Sequence, residues 1–190
     1  LHSPIPYHLN ILEAFRAISP EKDVDGFSPL NVGKLAQGQE CFAACTPLGI
    51  MHLLKAYDID VEGKHCVVIG RSNIVGRPMA ELLLNADATV TICHSHTKNL
   101  AEITKTADVL VVAIGNPKFI TADMIKDGAV VVDVGINRVA NSKKIIGDVD
   151  FENVKEKCSY ITPVPGGVGP MTIITLMDNV VKAYKKAENI

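Results

Sequence analysis

The sequence predicts an α/β fold built on a doubly wound parallel sheet. From residue 64 onward short β-branched runs alternate with helical stretches, the rhythm of parallel strands joined by crossover helices. The runs are apolar without a break, as in strands covered on both faces. A glycine-rich turn follows the first of them.

The elements follow in chain order. In the first 45 residues Pro4, Pro6, Pro20, Pro29, Gly26, Gly33 and Gly38 break the chain into short pieces, too little for a complete domain. Thr46-Pro47 is a good helix start, with a hydroxyl to cap and a proline for the first helical position. Ile50, Leu53, Leu54 and Tyr57 then fall at helical spacing. The strands are His65–Ile69, Thr89–Cys93, Val109–Ile114 and Ala129–Val134, with Tyr160–Pro163 as a fifth. Pro78–Asn85, Leu100–Thr106 and Ala122–Lys126 read as helices or helical turns between them. Ile173, Met177, Val180, Val181 and Tyr184 give Met171–Lys186 one apolar face, so the chain closes on an amphipathic helix.

Composition removes several function classes. With 190 residues, 47% apolar and 21% charged, the chain is neither disordered nor fibrous. A fold of this size buries roughly 70% of its unfolded surface and needs no staple. Nineteen basic and 21 acidic residues leave a net charge of −2, and basic residues cluster only in pairs such as Lys143-Lys144 and Lys185-Lys186. Nucleic acid is therefore not an expected partner. No stretch approaches the ~20 apolar residues of a membrane span, so a soluble protein is expected. Five cysteines (41, 45, 66, 93, 158) lack CxxC spacing and read as reduced thiols of a cytosol-like compartment.

The turn Gly70-Arg71-Ser72-Asn73-Ile74-Val75-Gly76-Arg77-Pro78 lies where a doubly wound sheet binds a dinucleotide. Gly70 allows the tight turn, Gly76 lets helix and strand approach, and the N–H groups opening the helix can hold a pyrophosphate. Ser72 stands in place of the usual second glycine and the third comes one residue late, so a plain surface turn is the rival reading. A NAD-specific site places a carboxylate about 20 residues further on. Here that region is Cys93-His94-Ser95-His96-Thr97, with no carboxylate. Its hydroxyl and imidazoles, with Arg71, suit a 2′-phosphate, so NADP is preferred over NAD. Cys93, His94 and His96 could instead suggest a metal, but neighbours on a strand diverge and no further ligands cluster nearby; no metal is expected.

Two other stretches stay open on chemistry alone. Asp25-Gly26 is an ordinary turn pair, yet a carboxylate also accepts hydrogen bonds from an amino-pyrimidine edge. Pro163–Pro170, with three glycines and three prolines, is either a rigid loop before a helix or a bare backbone on which a flat ligand lies.

Several strings together resemble one family. They are Lys22-Asp23-Val24-Asp25-Gly26-Phe27, Cys45-Thr46-Pro47, the Val68–Pro78 turn, Asp133-Val134-Gly135-Ile136-Asn137, Gly147-Asp148-Val149 and Ile161-Thr162-Pro163-Val164-Pro165-Gly166-Gly167-Val168-Gly169-Pro170-Met171-Thr172. Their order and spacing are similar to the methylenetetrahydrofolate dehydrogenase/cyclohydrolase family over essentially the whole chain. The resemblance implies a Rossmann-type NADP-binding domain over residues 46–165, the closing part of a second α/β folate/catalytic domain over 1–45, and a terminal helix, 166–190, that returns to the first domain. It also implies that Gly70, Arg71, Ser72, Ser95 and Ile136 bind the cofactor, Ile136 near the nicotinamide end. Asp25 would orient the pterin, and Pro163, Gly166 and Gly167 would contact the folate.

The implied activity is oxidation of 5,10-methylenetetrahydrofolate with NADP+, then hydrolysis of the methenyl product to 10-formyltetrahydrofolate. The family's hydrolytic step uses a lysine in a Tyr-x-x-x-Lys pattern upstream of the Asp-Gly segment, and this chain has no such pattern; with Leu1 in place of methionine, a truncated reading of the gene is expected. His2 stands where family members usually carry a glutamine. The resemblance further implies a homodimer, a role in one-carbon metabolism and purine biosynthesis, and a cytoplasmic location, or a mitochondrial one in a eukaryote. Two rivals remain: a non-catalytic NADP-binding or dimerisation module, and a monofunctional NAD-linked dehydrogenase, against which Arg71 and Ser95 speak.

Overall fold

The structure, a computed structural model, describes residues 6–139, 142 and 144–190. His2 and Lys143 lie outside the described residues.

Five parallel strands form the sheet: β1 (His65–Ile69), β2 (Thr89–Cys93), β3 (Val109–Val112), β4 (Val130–Asp133) and β7 (Tyr160–Ile161). Their order is β2-β1-β3-β4-β7, so the chain leaves β1 toward one edge, returns to its other side and proceeds outward. The crevice at that reversal, beyond the strands' carboxyl ends, is where such folds bind ligands.

The alternation of side chains across the sheet explains the apolar runs. Cys66, Val68, Val109, Val111 and Val132 face a core closed by Ile50 and Leu54 of α3 (Cys45–Ala56), Met79 and Leu83 of α4 (Gly76–Leu84), and Val168 of α7 (Val168–Glu188). Val67, Ile69, Leu110, Val112 and Val131 face the opposite layer with Ile120, Ile125 and Val154. Both faces of β1 and β3 are thus buried, each large side chain contributing about 1.5–3 kcal/mol. Strand β2 departs from the expectation of two covered faces: it is an edge strand, and Ile92 is 41% exposed.

Element boundaries also differ: β3, β4, β7 and α5 (Leu100–Thr104) are shorter than expected, and α4 begins two residues earlier, at Gly76. Helix α3 begins at Cys45, with Ala44 in the N-cap place, so Thr46 does not cap it. Pro47 is the third helical residue, still within the turn whose N–H groups lack helical partners. The Thr46 hydroxyl instead lies 2.9 Å from that of Thr172 on α7. Helix α7 begins three residues before Met171, and Ala122–Met124 is a single 3-10 turn. A small antiparallel pair, β5 (Asn137–Arg138) with β6 (Ile145–Ile146), has no counterpart among the expected elements, because two-residue strands carry no readable period.

Before the sheet lie α1 (Ile11–Ala17) and α2 (Pro29–Ala36), the latter capped by the Ser28 hydroxyl with Pro29 opening it. The remaining helices are α5 (Leu100–Thr104) and α6 (Phe151–Val154). Helix α7 lies close along α3; a Cβ at Gly49 would be 3.0 Å from the Met171 carbonyl. Further along α7, buried Asn179 donates to the carbonyl oxygens of Val24 (2.9 Å) and Ala43 (3.5 Å), fixing the helix to the stretch before α3.

Candidate functional site: a cleft along the carboxyl edge of the sheet

The turn after β1 is shaped by two glycines in contact. Gly70 has φ +117°, and a Cβ there would run into the Ala113 carbonyl; a Cβ at Gly76 would run into the Gly70 carbonyl. No other residue type fits either position without moving backbone. Ser72 Oγ accepts from the N–H of Val75 (3.1 Å) and Gly76 (3.4 Å), holding the turn that leads into α4. Its own O–H stays available as a donor. The first turn of α4, with no side-chain cap from Val75, opens at this bend and presents the partial positive charge that favours an anion.

Parallel register sets the second part of the site. Ile69 pairs with Cys93, and the N–H of Gly70 donates to the Cys93 carbonyl at 2.9 Å. Arg71 and Ser95, each two residues beyond that pair, therefore emerge at one level of the edge, and both are exposed. His94 Nδ1 accepts from the N–H of His96 at 3.2 Å. Desolvation first, then the Arg71 guanidinium and His96, hold the His94 imidazole below its ordinary value. Cys93 is buried in the strand and does not face outward with the histidines.

The third part lies across β3 and β4. A cleft of about 700 Å3 runs between Val75 of the first turn, the Val134–Ile136 bend after β4, Ile145 of β6, and the Pro163–Pro170 loop leading into α7. Thr46, Thr172 and Ile173 close its far wall. Thr162 positions the loop, its hydroxyl accepting from the N–H of Asp133 at 2.8 Å. Gly166 takes φ +103°, and Gly167 approaches the Pro163 carbonyl so closely that a Cβ would be 2.6 Å from it. The result is an apolar slot between bare backbone and Ile136, which is 66% exposed. Such a slot accepts a flat ring, with the first amides of α7 at one end.

The structure thus brings together Gly70, Arg71, Ser72 and Ser95 at one end of the edge and Ile136, Pro163, Gly166 and Gly167 at the other. Asp25 is placed apart. It does not line the cleft but borders a smaller hollow with Phe15, Ile18 and Phe27. Its carboxylate meets the Cys45 thiol (3.7 Å), one residue from Thr46. Burial, then the Asp25 charge, pushes that thiol up to about 12, so it stays protonated.

Sequence reasoning missed Thr46 and Thr172 as cleft residues, because only the fold brings residues so far apart together. It also missed Asp133 and Asp148, both buried. An aspartate inside apolar runs, as in Val132-Asp133-Val134 and Gly147-Asp148-Val149, was the available signal.

Comparison with known proteins shows the family and the fold. A family model described as tetrahydrofolate dehydrogenase/cyclohydrolase, NAD(P)-binding domain, matches residues 44–188. The bifunctional protein FolD of Campylobacter hominis is 63% identical over 182 residues, which cover 96% of this chain and 64% of that protein. The crystal structure of the bifunctional FolD methylenetetrahydrofolate dehydrogenase/cyclohydrolase of Campylobacter jejuni superposes with a TM-score of 0.95 at 58% identity, covering 97% of this chain and 65% of that one. The Trypanosoma brucei methylenetetrahydrofolate dehydrogenase-cyclohydrolase, solved with NADP cofactor and inhibitor, gives 0.94 at 39% identity, covering 100% and 67%. The chain thus spans slightly less than two thirds of the length of its curated relatives. On the family model, the identity and the shared fold, the chain belongs to the tetrahydrofolate dehydrogenase/cyclohydrolase family.

Proposed function

We propose that this chain carries the NADP site and part of the folate site of an enzyme that oxidises 5,10-methylenetetrahydrofolate to the methenyl form and hydrolyses that to 10-formyltetrahydrofolate. The observation that carries the reading is the arrangement along the sheet edge: exposed Arg71 and Ser95 at one level beyond β1 and β2, a glycine-shaped turn after β1, and an apolar slot beyond β4 and β7. A dinucleotide laid across the edge would present its two ends to the two clusters in turn.

NADP+, when bound, supplies the hydride acceptor. The chain's own residues then hold and align. Arg71 and Ser95 hold the 2′-phosphate, the Gly70–Gly76 turn and the start of α4 hold the pyrophosphate, and Ile136 packs at the nicotinamide end. Pro163, Gly166 and Gly167 bring the pterin face alongside, and the apolar walls exclude water, so that alignment lowers the barrier. Asp25 orients the pterin from behind Cys45 and Thr46. Among the described residues lining the cleft there is no lysine or histidine. Hydride transfer, which asks for alignment, is therefore the step these residues serve directly. The hydrolytic step asks for a proton carrier, which the family resemblance assigns to the lysine of its Tyr-x-x-x-Lys pattern.

The division into 1–45, 46–165 and 166–190 belongs to the same proposal and is supported by the Asn179 contacts to Val24 and Ala43. A homodimer, purine supply and a cytoplasmic location rest on the family resemblance. The test is to supply the protein with 5,10-methylenetetrahydrofolate and NADP+ and follow NADPH and the methenyl chromophore. Stoichiometric formation of both supports the dehydrogenase; NADP+ binding without either product favours the non-catalytic module.

A further inference from the structure

Two motifs have no ligand-holding role assigned above, Asp133-Val134-Gly135, which lines the cleft, and Gly147-Asp148-Val149, and the structure interlocks them. Asp133 Oδ1 accepts from the N–H of Gly135 and of Asp148, both 2.9 Å, and its Oδ2 accepts from the N–H of Val149, 2.9 Å. Asp148, fully buried, accepts through Oδ2 from the N–H of Ile114 (2.8 Å) and Gly115 (2.9 Å), and through Oδ1 from the Asn137 amide (2.8 Å). A Cβ at Gly135 would run into the Asp148 carboxylate, and one at Gly147 into that of Asp133. Both glycines are therefore what lets the two carboxylates enter.

Neither carboxylate is within salt-bridge distance of a lysine or arginine among the described residues. Burying a charge among neutral donors alone is costly compared with an apolar core of the same size, so stability does not explain the arrangement. What it does is geometric. Asp148 joins the loop after β3, through Ile114 and Gly115, to the bend after β4, where it accepts from Asn137 and lies against Gly135, and the residue between those two is Ile136.

We propose that Asp148 is a positioning residue for the nicotinamide end of the cofactor: through Asn137 and the N–H groups of Ile114 and Gly115 it fixes the bend that carries Ile136. The inference rests on the cofactor reading given above. It separates the two halves of the ligand, because the turn after β1 and the Arg71/Ser95 pair make no hydrogen bond to Asp148.

The experiment compares binding of NADP+ with binding of 2′,5′-ADP, which has the 2′-phosphate half but no nicotinamide. Asn137→Asp sets two carboxylates against each other, and should lose about tenfold in NADP+ affinity while 2′,5′-ADP changes by less than about twofold. Adding Asp148→Asn restores the bond with donor and acceptor exchanged, at the original net charge, and should return NADP+ to within about threefold of the starting protein. If Asn137→Asp does not fold, Asn137→Ala removes the same tether and should give the same split. Equal losses for both ligands, no loss, or no recovery in the exchanged pair would each overturn the positioning role. An unsubstituted protein that binds neither ligand would overturn the cofactor reading itself.

Discussion

Thr46 and Thr172, 126 positions apart, meet hydroxyl to hydroxyl at 2.9 Å where α3 and α7 form the back wall of the cleft. The contact ties the start of the nucleotide-binding half to the helix that runs back over the residues before it. The Thr172 hydroxyl also lies 3.4 Å from the Val168 carbonyl, to which it can donate. Replacing either threonine by valine keeps the shape and removes the bond, which should cost about 0.5–1.5 kcal/mol in denaturant unfolding. The double variant should cost no more than the worse single, and additive losses would show that the two hydroxyls act independently.

Gly70 and Gly63 both have positive φ but differ in what surrounds them. At Gly63 nothing lies within 4 Å of the place a Cβ would take, so Gly63→Ala should cost only the backbone strain, about 1–2 kcal/mol. At Gly70 the Ala113 carbonyl occupies the space. Gly70→Ala should therefore cost more than Gly63→Ala by at least about 1 kcal/mol and displace the anion turn. Thermal unfolding and NADP+ titration of both variants check this; similar behaviour would mean that the turn has room to spare.

Asp25 stands behind the cleft, its carboxylate against the Cys45 thiol. Asp25→Ala should weaken folate binding by about tenfold or more, as expected for losing a charged acceptor, and leave NADP+ affinity unchanged. Calorimetry with each ligand separates the two. Unchanged folate affinity would return Asp25 to a turn residue beside Gly26, whose φ is +70°.

Burial raises the Asp133 carboxyl above its ordinary value, and the Asp148 charge adds to this against three opposing backbone hydrogen bonds. A carboxyl whose value is higher folded than unfolded takes up a proton on folding between the two. Its contribution is fully present below the unfolded value and is lost as pH rises through the folded one. Asp133→Asn should flatten that part of the stability profile in mildly acidic buffer, measured by urea unfolding. Parallel profiles for the two proteins would assign the slope to other groups.

How much of this is legible in the sequence depends on where the determining contacts lie. Strands β1, β3 and β4 are readable because both faces are buried and the runs are almost wholly apolar. That Arg71 and Ser95 emerge at one level follows from the strand register, which carries both two residues beyond the Ile69–Cys93 pair. Thr46 reads wrongly as a cap because the local rule sees a hydroxyl before a proline, whereas Ala44 takes the N-cap place and the hydroxyl belongs to a distant helix. The β5–β6 pair and the Asp133/Asp148 interlock are invisible to periodicity, being made of single residues and backbone N–H groups brought together from separate loops.

The central claim is that the sheet edge reads NADP through Arg71 and Ser95. Its most direct test is calorimetric titration of the protein and of Arg71→Ala with NADP+ and with NAD+. NADP+ should bind the unsubstituted protein at least about tenfold more tightly, the value of a charge-assisted phosphate contact, and Arg71→Ala should remove this preference while leaving NAD+ affinity unchanged. Equal affinity for the two dinucleotides in the unsubstituted protein, or equal losses for both on replacing Arg71, would contradict it.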